Sequence, residues 1–144
     1  MNTTDKLKQI FCDNFVQYYR AHSVHLNITG EDFAANHKLL EKIYEYHQDT
    51  IDVIGELVRA NGDAAPETIQ EILASSDLSE ATAVATTADV LLELVIEGEE
   101  HLVAAYKDLV YQARDEEHCD IENFAQDQIL KIKKFVWQLK AIIE

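Results

Sequence analysis

The chain is poor in the residues that punctuate a polypeptide, with four glycines and one proline in 144 residues. Short strands joined by tight turns need more of both, so the scarcity predicts long helices and an all-α fold. Cysteine is nearly absent too. Cys12 and Cys119 are too few and too far apart for a disulfide framework or a zinc motif, which fits a reducing, cytoplasmic compartment. No apolar run is long enough to span a bilayer, and the polar stretch Met1–Ile10 does not read as a secretory signal, so no membrane role is expected. Positive charge is scarce: 12 Lys and Arg face 27 Asp and Glu, a formal net charge of −15. That field repels nucleic acid and anionic lipid and attracts cations, which favours a metal ion over DNA as partner. What is present is 47% apolar, enough for one core, and residues 1–144 read as a single domain.

Apolar residues recur with the helical period at Leu7, Ile10, Phe11, Phe15, Tyr18 and Tyr19, predicting a first helix from Leu7 to about Ile28 with Gly30 in the following turn. A second stripe through Phe33, Leu40, Tyr44, Ile51, Ile54 and Val58 stops at Asn61-Gly62-Asp63 and predicts a helix of roughly 28 residues, about 42 Å. Pro66 opens a short helix over Glu67–Ala74, broken by Ser75-Ser76-Asp77. A third long helix is expected to begin near Ser79 to Thr82 and to carry Leu91, Leu92, Val95, Leu102, Tyr106 and Leu109. A fourth begins near Asp120 and carries Phe124, Ile129, Ile132, Val136 and Leu139, after the polar stretch Arg114–Cys119. Two hairpins joined by a crossing segment make a ferritin-like four-helix bundle with a short helix in the long connection between its second and third helices.

Candidate ligands gather on the second helix. His37 and Glu41 are four apart, as are Asp52 and Glu56, and at roughly 100° per residue the four fall near 0°, 40°, 60° and 100° around the axis. They share one side but not one end: His37 and Asp52 are separated by roughly 22 Å along the helix, so one chain cannot close both pairs around one ion. Each residue of one pair lies as far from a point between Tyr46 and His47 as its complement in the other. A two-fold axis crossing there would set His37 and Glu41 of one subunit against Asp52 and Glu56 of the next, making two identical sites. Acid and His pairs arise by chance on solvated helices, so the weight rests on this shared centre. A hairpin turning near Glu31 adds His25 beside His37, giving two imidazoles and three carboxylates. That mixed set suits Fe(II) or Mn(II), and the lack of thiolate argues against structural zinc.

The run His25-Leu-Asn-Ile-Thr-Gly30-Glu-Asp-Phe33-Ala-Ala-Asn-His37, followed by Glu41, Asp52 and Glu56, resembles the signature of the Dps proteins, the DNA-binding proteins from starved cells or miniferritins. The similarity extends more weakly over the whole chain, including the terminal run Phe135–Lys140. The resemblance implies a ferroxidase site between subunits, with His25, His37 and Glu41 from one chain and Asp52 and Glu56 from its neighbour. It further implies a homododecamer built from two-fold dimers, a hollow shell where Fe(II) is oxidised by hydrogen peroxide or dioxygen, stored as ferric mineral, and kept from promoting oxidative stress. Two positions depart from the family pattern. Glu41 stands where Asp is usual, one methylene longer, and Leu26 stands where Trp is usual, removing an aromatic neighbour of the site. The Glu-x-x-His motif of ferritin-type bundle interiors is not visible, since Gly98 precedes His101 by three and Ala34 precedes His37 by three.

Other residues have plainer expectations. His22 reads as a core or supporting imidazole, His47 as interface packing near the two-fold axis, His101 and His118 as solvent-exposed, and both cysteines as buried small apolar groups. Asp115-Glu116-Glu117 with Asp120, Glu122 and Asp127 is a solvated helix start or, by the resemblance, a pore lining that draws in Fe(II). Family members that bind DNA use a basic flexible tail, whereas Met1–Lys8 holds only Lys6 and Lys8 beside Asp5, so DNA binding is not expected. Two competing readings stand beside the ferroxidase: a non-oxidising divalent-metal buffer and a nucleoid-binding structural protein.

Overall fold

The computed structural model describes residues 1–82 and 86–144, and among these there are five helices and no strand. They are α1 (Thr3–Asn27), α2 (Phe33–Ala60), α3 (Ile69–Ser75), α4 (Ala88–Asp115) and α5 (Cys119–Ile143). α1 starts earlier than the apolar stripe suggests because Asn2 and Asp5 form a reciprocal capping box: the Asn2 side chain accepts from the Asp5 N–H and the Asp5 carboxylate from the Asn2 N–H. Gly30 turns the chain at φ 119°, a conformation that a side chain resists. α2 closes on Gly62 at φ 86°, with the Gly62 N–H bonded to Arg59 and the Asp63 N–H to Val58.

Two further start positions differ from the sequence reading. The short helix begins at Ile69, not Glu67, because Thr68 takes the cap and receives the Glu71 N–H at 3.1 Å. The third long helix begins at Ala88 under a Thr87 cap, so Ser79 to Thr82 do not start it, and residues 83–85 lie outside the described residues. The reason is that this segment is claimed elsewhere: the buried Arg20 guanidinium donates twice to the Ser79 carbonyl, at 2.7 and 3.1 Å, and Leu78 is buried.

α1 packs on α2, α4 on α5, and α1 also on α4 and α3. The interior holds two apolar clusters. One contains Leu7, Ile10, Ile54, Val58, Leu102, Tyr106, Ile121 and Ile132; the other contains Val24, Ile28, Leu40, Ile43, Leu92, Val95 and Leu139. Between them lies a polar layer built from Asn14, Gln17, His47 and Glu99, all buried. Asp13, 1% exposed, ties the crossing segment down: its carboxylate accepts from the Gln9 side chain, the Ser76 hydroxyl, the Asp77 N–H and His101 Nε2. His101 is therefore paired, not free in solvent as expected.

Candidate metal centre

α1 and α2 place two imidazoles face to face. His25 occupies the last turn of α1 and His37 the second turn of α2, and the buried Ile28 between them pins the connecting loop. Their rings stack at 3.7 Å between centroids and 17° between planes. Each ring is held by the other residue's backbone: His25 Nδ1–H donates to the His37 carbonyl at 2.7 Å, and His37 Nδ1–H donates to the His25 carbonyl at 2.8 Å. A carbonyl only accepts, so both Nδ1 atoms carry the proton and neither Nε2 has a partner among the described residues; in the neutral form of each ring that nitrogen holds the lone pair a metal-binding histidine needs. Phe33 stacks on the outer face of His37 at 5.0 Å.

Glu41 follows one turn further along α2, half-buried, and its carboxylate is close enough to help raise the Tyr44 hydroxyl pKa, after the larger effect of desolvation. Asp52 and Glu56 lie on the far half of the same unbroken helix, exposed, in a shallow depression with Phe11, Gly55, Arg59 and Ala65. Neither makes a hydrogen bond or ion pair among the described residues. The chain thus joins His25 with His37 and leaves the other carboxylates apart; among the described residues no group of three or more His, Cys, Asp or Glu forms a metal cage within one chain.

Several groups lie near or behind this site. His22 stacks flat on Tyr44, 3.9 Å between centroids, and shares a hydrogen bond of 2.9 Å with the Tyr18 hydroxyl. Desolvation, then the neighbouring His25, lowers its pKa, so it stays neutral further into acid than a free imidazole. His47 is not interface packing: it is fully buried inside the bundle, with Nδ1–H on Asn14 Oδ1 at 2.8 Å and Nε2 on Glu99 Oε2 at 2.6 Å. Its position on the stripe Leu40, Ile43, His47, Thr50, Ile54, Val58 was a legible sign of burial. Cys12 is buried as expected, its thiol pushed up to about 11 chiefly by desolvation, whereas Cys119 is exposed at the start of α5. The acidic stretch is partly paired. Glu116 accepts from the Thr3 N–H and hydroxyl, Asp120 accepts from Asn61, and Glu122 pairs with Arg114.

Comparisons with known proteins agree on one kinship. The ferritin-like domain family matches residues 4–144. The chain is 29% identical over 141 residues to the DNA protection during starvation protein of Helicobacter pylori, spanning 98% of each. It is 27% identical to the protein of that name from Brevibacillus brevis, covering 90% of this chain and 86% of that one. It superposes on the crystal structure of Helicobacter cinaedi CAIP with a TM-score of 0.93 at 26% identity, over 99% of this chain and 100% of that one. On Dps from Listeria monocytogenes the TM-score is 0.95 at 22% identity, over 99% and 94%. With its helices, its crossing segment and its match over nearly the whole chain, this protein belongs to the Dps family of ferritin-like proteins.

Proposed function

We propose that the chain is the single-domain subunit of a shell that oxidises Fe(II) at sites shared between two copies and stores the ferric product. Membership of the Dps family supports iron storage and protection from oxidative stress in general terms. The observation that carries the finer reading is the reciprocal tether of His25 and His37, which leaves two adjacent Nε2 atoms with no other partner among the described residues. In the proposed assembly a two-fold axis near Tyr46 and His47 brings Asp52 and Glu56 of a second copy across from them, with Glu41 on the first. Two imidazoles and three carboxylates suit Fe(II) as substrate. Two bound Fe(II) ions give one electron each to peroxide, the O–O bond breaks to two hydroxides, and the Fe(III) ions hydrolyse and pass to the interior. The same copies, repeated, make the proposed dodecamer. No DNA partner is proposed, given the charge of −15.

The test is anaerobic Fe(II) addition followed by a peroxide pulse, read by ferric-oxo absorbance, with native mass measured alongside. Fast growth in the wild type, lost in His37→Ala with the mass unchanged, is the expected result. Unchanged kinetics in His37→Ala would remove the ligand assignment, and a flat wild-type trace would leave a divalent-metal buffer. A monomer by native mass would remove the shared site altogether.

A further inference from the structure

Aromatic rings run outward from the paired imidazoles. His25 meets Tyr44 edge-on at 5.0 Å, Tyr44 stacks on His22 at 3.9 Å and 2°, and Tyr18 lies 6.2 Å from Tyr44 with its hydroxyl 2.9 Å from His22 Nδ1. Tyr19, 6.2 Å from Tyr18, is 54% exposed. Tyr18, His22 and His25 follow one another at four and three residues, so a single stripe of α1 carries the row and Tyr44 closes it from α2. Leu26, next to His25, is aliphatic and points to solvent. Among the described residues no ring pair joins Trp137 to this hairpin. The oxidisable groups nearest the site are therefore phenols.

A phenol loses an electron readily when its proton leaves in the same event, which requires a base already bonded to it. Tyr18 has that base. Among the described residues nothing else bonds His22 Nδ1, and with the tautomer protonated at Nε2 the Tyr18 hydroxyl donates to it. The Tyr44 hydroxyl has no such partner among the described residues, so Tyr44 serves as a bridge between rings and not as the final donor.

We infer that Tyr18 is a one-electron donor to the His25–His37 site, with His22 as its proton acceptor and Tyr44 as the ring the electron crosses. The inference rests on the iron-oxidising reading and deepens it. When a lone Fe(II) meets peroxide, one electron from iron breaks the O–O bond and leaves Fe(III), hydroxide and a hydroxyl radical. Tyr18 supplies the second electron by way of Tyr44, and the radical becomes hydroxide. The Tyr18 O–H bond breaks as an N–H bond forms on His22, and the imidazolium later gives that proton to hydroxide, making water. The unpaired electron is left on Tyr18, or on Tyr19 at the surface where a soluble reductant can reach it. An incomplete site is thereby kept from releasing hydroxyl radical.

Rapid-freeze paramagnetic resonance on the assembled full-length protein tests this, with Fe(II) held below one ion per site and peroxide as oxidant. A tyrosyl signal is expected whose yield per ferric ion formed is lost in Tyr18→Phe and whose formation is slowed in His22→Leu; an undiminished yield in Tyr18→Phe overturns the inference. If the wild type forms no Fe(III), the iron-oxidising reading has failed, and azide radicals generated in metal-free protein then test the relay alone. High-field spectra should contain an imidazole-bonded tyrosyl component that vanishes in Tyr18→Phe, and its persistence there also overturns the inference.

Discussion

His47 and the pair His25 and His37 are imidazoles of the same hairpin held in opposite ways. His47 sits between the two apolar clusters and spends both ring nitrogens, one on Asn14 and one on Glu99. His25 and His37 each spend only Nδ1, on the other's carbonyl, and keep Nε2 bare at the hairpin's end. The first arrangement gives a hydrogen-bond partner to a carboxylate that has no access to water; the second fixes the ring orientation and leaves one nitrogen of each ring without a bond among the described residues. What separates the two kinds of histidine here is how many ring nitrogens the protein itself satisfies.

The largest effect should come from breaking the saturated pair. His47→Ala leaves Glu99, fully buried, without its imidazole partner, and should cost about 3–5 kcal/mol in denaturant unfolding, whereas replacing both residues by His47→Leu with Glu99→Met should cost much less. If the single and double variants are equally destabilised, the pair is not the unit described. Next is Gly98→Ala: a Cβ at Gly98 would lie 1.7 Å from Gln17 Oε1, so Gln17 must leave and Glu99 loses the donor that reaches it at 2.9 Å. About 1–3 kcal/mol of destabilisation is expected, measured the same way. His37→Ala should sharpen the contrast from the other side, costing at most about 1 kcal/mol of stability while fast iron oxidation disappears. The smallest effect concerns the chain's other end. The Thr3 hydroxyl and N–H, followed by Gln112, hold the Glu116 carboxyl below its ordinary 4.5, so this contact stabilises the fold above that pH and is lost as pH falls through the lowered value. The gap in thermal midpoint between wild type and Thr3→Val should therefore narrow in acid, and a gap independent of pH would mean the hydroxyl acts through Gln112 instead.

Much of this was legible in the sequence because helices are local. The apolar period and the turn residues at Gly30 and Asn61-Gly62 gave the four long helices, and the position of His25 and His37 about Glu31 brought the two rings together. The start of α4 was not legible, since it is set by Arg20, which lies far away in the chain and takes the Ser79 carbonyl. His47 and Glu99 were misjudged or passed over for a different reason. Both lie on their helices' buried stripes, where their polarity drew attention away from their spacing. The Tyr18–His22–Tyr44 stack depends on the rotation of α1 against α2, which no pattern within either helix specifies. Glu41, Asp52 and Glu56 are not gathered with the imidazoles within one chain, and their part in the site rests on the proposed dimer.

Asp13 shows what such long-range ties do. Each helical hairpin can form from its own neighbouring residues, and contacts between α1 and α4 set how the two lie against each other. One carboxylate gripped by α1, by the segment after α3 and by α4 ties the crossing segment to both hairpins, since four donors from three parts of the chain meet on it. The anchor acts as a registration pin: a chain that misses it would keep sound helices but lose the contact that holds the crossing segment across α1 and α4.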